Sequence, residues 1–148
     1  GAKRGKKIKT IQSLWIAIHL ARSGRTASAT RALEFYKAKY EAYGVIQEYY
    51  EPNGDNDVGL DDVLPRGEPR IYCLAARLGY YLGHDQWADK LLKREVEEQQ
   101  ETNVASPVFG HFGKYFGDDP SAYDTLEGLL GLAMKAGSKV LMHKYDAA

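Results

Sequence analysis

The sequence predicts an all-α protein of two to three antiparallel helical hairpins, a helical bundle or partial α/α toroid, with its long loops at one end. Three observations carry this. Five segments space their apolar residues by three and four, and no stretch sustains a period of two. Glycine follows the end of these segments repeatedly, at Gly24, Gly44, Gly83 and Gly137, where helices stop.

In the first helix Ile11, Leu14, Trp15, Ile18 and Ala21 form one apolar stripe, and Ser23-Gly24 stops it. In the second, Ala29, Leu33, Tyr36, Tyr40 and Tyr43 step by four, three, four and three before Gly44. The third opens on Pro69, whose fixed φ and missing N–H suit a first helical turn. It buries Ile71, Leu74, Ala75, Leu78 and Leu82, and Gly83 closes it. Asp85 is the expected N-cap of the fourth, which runs through Trp87, Leu91, Leu92 and Val96. Its far end, REVEEQQE from Arg94, is polar apart from Val96 and is expected to project into water. The fifth opens at Asp119-Pro120-Ser121, with Tyr123, Leu126, Leu129, Leu130 and Ala133 facing inward. Gly128 and Gly131 cost it about 1 kcal/mol each, a cost that close approach of another helix or loop would offset. Gly137 ends it, and Val140–Tyr145 form a short sixth helix.

Two connections are longer than compact domains ordinarily carry without a function. One is the acidic segment from Gly44 to about Gly67; the other contains SPVFGHFGKYFGDDP, from Ser106. In the latter, Val108-Phe109 and Tyr115-Phe116 pair as a short hairpin, the one place where a strand is expected, or the whole is an ordered loop.

At 148 residues, 44% of them hydrophobic and 27% charged, the chain is long enough to bury a core without disulfides or metals. Residues 1–9 read as a basic flexible N-terminal segment and residues 10–148 as a single helical domain. Basic and acidic residues balance at 20 each, so no global field recruits nucleic acid. No apolar run approaches the ~20 residues a bilayer requires, so no membrane insertion is expected. The start lacks a signal-peptide apolar region, and nothing in the sequence indicates a compartment. Cys73 is the lone cysteine, excluding an internal disulfide, and its neighbours Ile71, Leu74 and Ala75 mark it as an inert core thiol.

The chemistry has few carriers. GVIQEYYEPNGDNDVGLDDV (Gly44–Val63) crowds Glu48, Glu51, Asp55, Asp57, Asp61 and Asp62 among tyrosines, asparagines and glycines. Asn53, Asp55 and Asp57 alternate as calcium-loop ligands do. An EF-hand, however, needs Gly at its sixth position and Glu at its twelfth. Counting from Asn53 those places hold Val58 and Leu64, and from Asp55 they hold Leu60 and Arg66. The chain has no Glu-x-x-His pair for a di-iron bundle, and no Gly-x-Ser-x-Gly or phosphate-cradling loop. No metal and no cofactor are therefore predicted. FGHFGKYFG carries Lys114 as its only fixed positive charge, too little for a base-stacking platform. Its Phe109 and Phe112 cover the end of the bundle or contact a ligand.

Carboxylates beside aromatics remain. Glycoside hydrolysis uses two carboxyl groups, and aromatic faces stack on sugars. WIAIHLARSG (Trp15–Gly24), a second helix with Ala32, Tyr36 and Tyr40, and GVIQEYYEPNG (Gly44–Gly54) together resemble the closing part of (α/α)-toroid glycosidases of the processing α-glucosidase and trehalase-like kind. There a tryptophan-led helix precedes a second helix and then a segment in which Glu-x-Tyr is followed shortly by Gly. The resemblance implies that Glu48 is a catalytic base, with Tyr50 and Gly54 completing the motif. It spans Trp15–Gly54 only. Gln12-Ser13-Leu14 stand where the family has Gly-Pro before the tryptophan, the chain continues well past the motif, and a full ring needs more hairpins than are present.

The expectation is a carbohydrate-directed domain, glycosidase-like or glycan-binding. Its catalytic candidates are Glu48 with Asp61 or Asp62, and its substrate contacts Trp15, Tyr43, Tyr50, Phe109 and Phe112. The partner would be a glycan or small-molecule substrate. The alternative is a non-catalytic helical domain whose two long loops bind a protein partner.

Overall fold

The structure is a computed structural model that describes residues 7–57, 69–97, 102, 104–105 and 122–138. Among them are a short strand β1 (Ile8–Lys9), helices α1 (Thr10–Arg22) and α2 (Thr26–Tyr43), strand β2 (Tyr49–Tyr50), and helices α3 (Pro69–Tyr81), α4 (Asp85–Glu95) and α5 (Ala122–Ala133). A single wide turn, Met134–Ser138, extends α5, with Gly137 at φ 93°. The protein is all-α in this sense. The strands depart from expectation, because β1 and β2 pair antiparallel, Ile8 opposite Tyr50 and Lys9 opposite Tyr49. The basic run therefore ends in a paired strand rather than a frayed terminus. The Val108–Phe116 hairpin and the sixth helix at 140–145 lie outside the described residues.

The helices form where apolar spacing and glycine stops place them. Gly44 adopts the left-handed conformation that non-glycine residues avoid, φ 72°, and its N–H closes α2 on the Tyr40 carbonyl at 2.7 Å. At the start of α1 the loop does the work of a cap: Thr10 N–H donates to the Glu48 carbonyl at 3.0 Å. The expected N-cap of α4 is corrected. His84 holds that position without a side-chain cap, and Asp85 is already helical.

Helices α1 and α2 form one antiparallel hairpin, α3 and α4 another, and α5 packs on α3. α3 is central. Every residue from Ile71 to Tyr80 is buried, where the spacing predicts one inward face. Its neighbours α1, α4 and α5 surround it, so no face of the Ile71–Tyr80 stretch meets water. Tyr36, Tyr50 and Tyr72 are among the largest buried side chains, and the Phe35 ring meets Tyr50 edge-on at 5.1 Å. The carboxyl-terminal ends of α2 and α4 lie together, since the Tyr40 hydroxyl donates to Glu95 Oε1 at 2.8 Å. Both long connections therefore leave from one end of the molecule. That contact also corrects the view that the end of α4 projects into water: the Glu95 side chain is 3% exposed.

The orientation of α5 is corrected too. Leu126, Leu129 and Leu130 are exposed, whereas Gly131 and Met134 are buried. A Cβ on Gly131 would stand 3.1 Å from Leu92 Cδ2 and 3.7 Å from Cys73 Cβ, which is the close approach that its cost to the helix implies. The glycine edge, free of side-chain bulk, packs deeper than the leucine edge. No helix among the described residues is long and apolar enough to cross a membrane.

Candidate active-site cleft

The segment from Val45 to Tyr50 is held from several directions. Ile46 is a buried plug, and its N–H donates to the Tyr72 hydroxyl at 3.2 Å. Gln47 N–H donates to the Tyr50 hydroxyl at 2.9 Å, and its carbonyl accepts from Thr10 Oγ1 at 2.6 Å. The Gln47 side chain then clasps the backbone of Asp57. Its Oε1 accepts from Asp57 N–H at 2.9 Å, while Nε2 donates to the Asp57 carbonyl at 3.5 Å. Glu48 follows directly, its carbonyl fixed by Thr10.

This frame delivers the half-buried Glu48 to a cleft of about 290 Å³ lined by Lys9, Ile11, Gln12, Glu48, Tyr49 and Arg70. The period-two alternation of a strand explains the sorting. Tyr50 turns inward, while its neighbour Tyr49 and the residue opposite it, Lys9, line the cleft. Pro69 starts α3 so that Arg70 stands at the cleft in the first helical turn.

Not every expected site residue arrives here. Trp15 is 44% exposed on α1, one turn beyond Ile11 and Gln12, with the Arg77 guanidinium 5.5 Å from its ring. Tyr43 is exposed at the end of α2, where the Lys39 ammonium lies 5.7 Å from its ring. Tyr50 is corrected: at 1% exposure it belongs to the core, and burial pushes its hydroxyl up to about pKa 12. Asp61, Asp62, Phe109 and Phe112 lie outside the described residues. Lys9, Gln12, Tyr49 and Arg70 also line the cleft, and no motif in the sequence marks them for it. Only Arg70 had a usable signal, its place beside a helix-opening proline.

The acidic turn answers to structure. Glu51 N–H donates to the Asp55 carbonyl at 2.9 Å, Gly54 takes φ 91°, and Asp55 N–H donates to the Asn53 side chain at 3.0 Å. Asp57 points back into the protein, where Lys7 Nζ lies 2.7 Å from Oδ1 and also 3.3 Å from Glu51. The Asp57 side chain is 6% exposed. Its hydrogen bond to Lys7 holds the lysine pKa above the ordinary value. Among the described residues no three His, Cys, Asp or Glu side chains are grouped as a metal ion would need.

The alternation of Asn53, Asp55 and Asp57 suggests equivalent solvated carboxylates. The structure separates them. Asp57→Asn is expected to lower the melting temperature clearly more than Asp55→Asn, because only Asp57 ties the turn to Lys7, just ahead of β1. Thermal melts of the two variants check this, and equal shifts would contradict the clasp.

No protein family's sequence profile matches the chain, and no curated protein matches it. Among solved structures, the fold is similar to that of a protein described as a novel alpha-amylase from Clostridium perfringens, with TM-score 0.66 and 18% identity. The match covers 85% of this chain and 35% of that one, so this chain spans about a third of that structure's length. The likeness is one of fold.

Proposed function

We propose that the chain is a carbohydrate-directed domain of glycosidase type, and that the Glu48 cleft binds a sugar ring beside the bond to be hydrolysed. The observation that carries this is the composition of the cleft. One carboxylate, a guanidinium, an ammonium, an amide and a tyrosine ring border a single concave surface. Sugars need both donors and acceptors for their hydroxyls and an aromatic surface for their C–H face. The fold shared with a protein described as an alpha-amylase supports the reading and makes α-glucans the first substrates to test.

In this reading Glu48 is the base. It takes the proton of a water molecule as the water oxygen bonds to the anomeric carbon, while a second carboxyl group protonates the departing oxygen. Asp61 and Asp62, on the same connection, are the candidates for that donor. Arg70 and Lys9 donate to ring hydroxyls, and Tyr49 is the aromatic surface of the cleft. Glu48→Gln keeps the shape but cannot accept the proton. It is expected to reduce turnover about 10²–10⁴-fold with an unchanged melting temperature. The check is a hydrolysis panel of α-glucans and other oligosaccharides on wild type and variant. Wild-type turnover by Glu48→Gln, or no glycan bound or cleaved by the wild type, would remove the reading.

One observation favours a second reading, a non-catalytic protein-interaction domain. Leu126, with Leu129 and Leu130 three and four residues on along one face of α5, are all exposed, and a contiguous exposed apolar face marks a contact site.

A further inference from the structure

We propose a second glycan-binding site in the outer cavity between α2 and the α3–α4 turn, with Trp87 as its aromatic wall. It takes its ligand class from the carbohydrate reading but shares no residue with the Glu48 cleft. The cavity is about 660 Å³, within the range of small-ligand sites and larger than the cleft itself. Its working residues are Lys37 and Glu41 from α2 and His84, Asp85, Trp87 and Lys90 from the turn and α4.

Three features point to a sugar rather than an ion. First, the fixed charges balance, Lys37 and Lys90 against Glu41 and Asp85, so the cavity offers donors and acceptors without a net field. Sugar hydroxyls, each both donor and acceptor, match such a lining, whereas a phosphate would meet two carboxylates. Second, Trp87 supplies a flat apolar surface for a sugar's C–H face once the Lys37 ammonium, which lies over the ring 6.0 Å from its centroid, swings aside onto a sugar hydroxyl. Gly79 permits this seating: a Cβ there would stand 3.3 Å from Ala88 Cβ and 3.5 Å from Trp87 Cε3. Third, Trp87 Nε1 is enclosed and has no hydrogen-bond acceptor among the described residues. A buried donor left in this state is uncommon, and a rotation of the indole toward the cavity would bring it to a ligand oxygen.

Two sites on separate faces would engage one polysaccharide at two points, or two chains at once. Each grip then raises the effective concentration for the other.

The chain has two tryptophans, so Trp15→Phe leaves Trp87 as the sole indole reporter. Titrating this variant with linear α-glucan oligosaccharides is expected to change the Trp87 emission saturably. The change should persist when Glu48→Gln is added, and weaken at least about tenfold when Lys37→Ala or Glu41→Ala is added, the scale of one lost polar contact. Silence of Trp87 throughout the titration overturns the second site, as does a response that Lys37→Ala and Glu41→Ala leave unaltered. If Trp87 stays silent while the wild type still cleaves or binds glycans through Glu48, only the second site falls. If Trp87 responds while Glu48→Gln changes no activity, only the cleft reading falls.

Discussion

Above about pH 10 this protein is expected to lose its helical structure in one cooperative transition. The cause is a set of tyrosines whose hydroxyls are shut away from water. Desolvation is the first cause of a raised pKa at Tyr36, Tyr40, Tyr50, Tyr72 and Tyr80, and it takes Tyr50 to about 12. The Glu95 carboxylate beside Tyr40 and the Asp89 carboxylate beside Tyr80 push in the same direction. A pKa raised on folding stabilises the native state fully below the unfolded value of 10.0. That contribution is lost as pH climbs through the folded value, because the unfolded chain sheds protons that the native one retains.

Each such tyrosine costs about 1.4 kcal/mol per pH unit inside its window. Counting only the enclosed Tyr50 and Tyr72 gives about 3 kcal/mol per unit, against a total stability ordinarily of about 5–15 kcal/mol. Lys7, also raised, loses its proton and its bond to Asp57 in the same direction of pH. The measurement is far-ultraviolet circular dichroism alongside tyrosinate absorbance from about pH 9 upward. The steep part of the tyrosinate curve, from these enclosed rings, should coincide with the loss of helicity. A smooth tyrosinate titration centred near pH 10 with helicity intact would show these rings to be accessible to water.

Tyr72 offers the second large effect and ties the core to the cleft. Its ring is fully buried on α3, edge-on to Tyr40 at 6.0 Å, and its hydroxyl receives the Ile46 N–H. Truncation by Tyr72→Ala is expected to cost about 3–5 kcal/mol, the scale for deleting a buried aromatic ring. Tyr72→Phe keeps the ring but strands the Ile46 N–H, at about 1–3 kcal/mol. Its local signature is faster hydrogen exchange at the Ile46 and Gln47 amides, two residues and one residue before Glu48. Denaturant titration gives the global cost and amide exchange the local one. Unchanged exchange at Ile46 in Tyr72→Phe would detach the cleft from the core.

Much of the helical framework is encoded locally, and the sequence alone determined it. The stripe Ile11–Ala21, the tyrosine ladder of α2, Pro69 at the start of α3 and the glycine stops at Gly24, Gly44 and Gly83 each act within a turn or two of chain. A helix's residues three and four apart share a face whatever surrounds them. The same logic marked Cys73 as core and Gly131 as a point of close approach, both of which hold.

What tertiary structure decided is which of two chemically similar residues faces inward. Tyr49 and Tyr50 are identical in type, yet one lines the cleft and the other is core, because pairing with Ile8 and Lys9 sets the alternation. Asp55 and Asp57 belong to one acidic run, yet Lys7, fifty residues away, draws only Asp57 inside. Glu95 sits in a polar run, yet Tyr40, fifty-five residues distant, holds it in the interior. The leucines of α5 read as its inner face until Gly131 proves the edge that α3 and α4 can approach. Each outcome turns on a partner far away in the chain, chosen by geometry that exists only after the hairpins have packed. Local spacing carries no record of that choice, and the position of Glu48 beside Arg70 depends on it entirely.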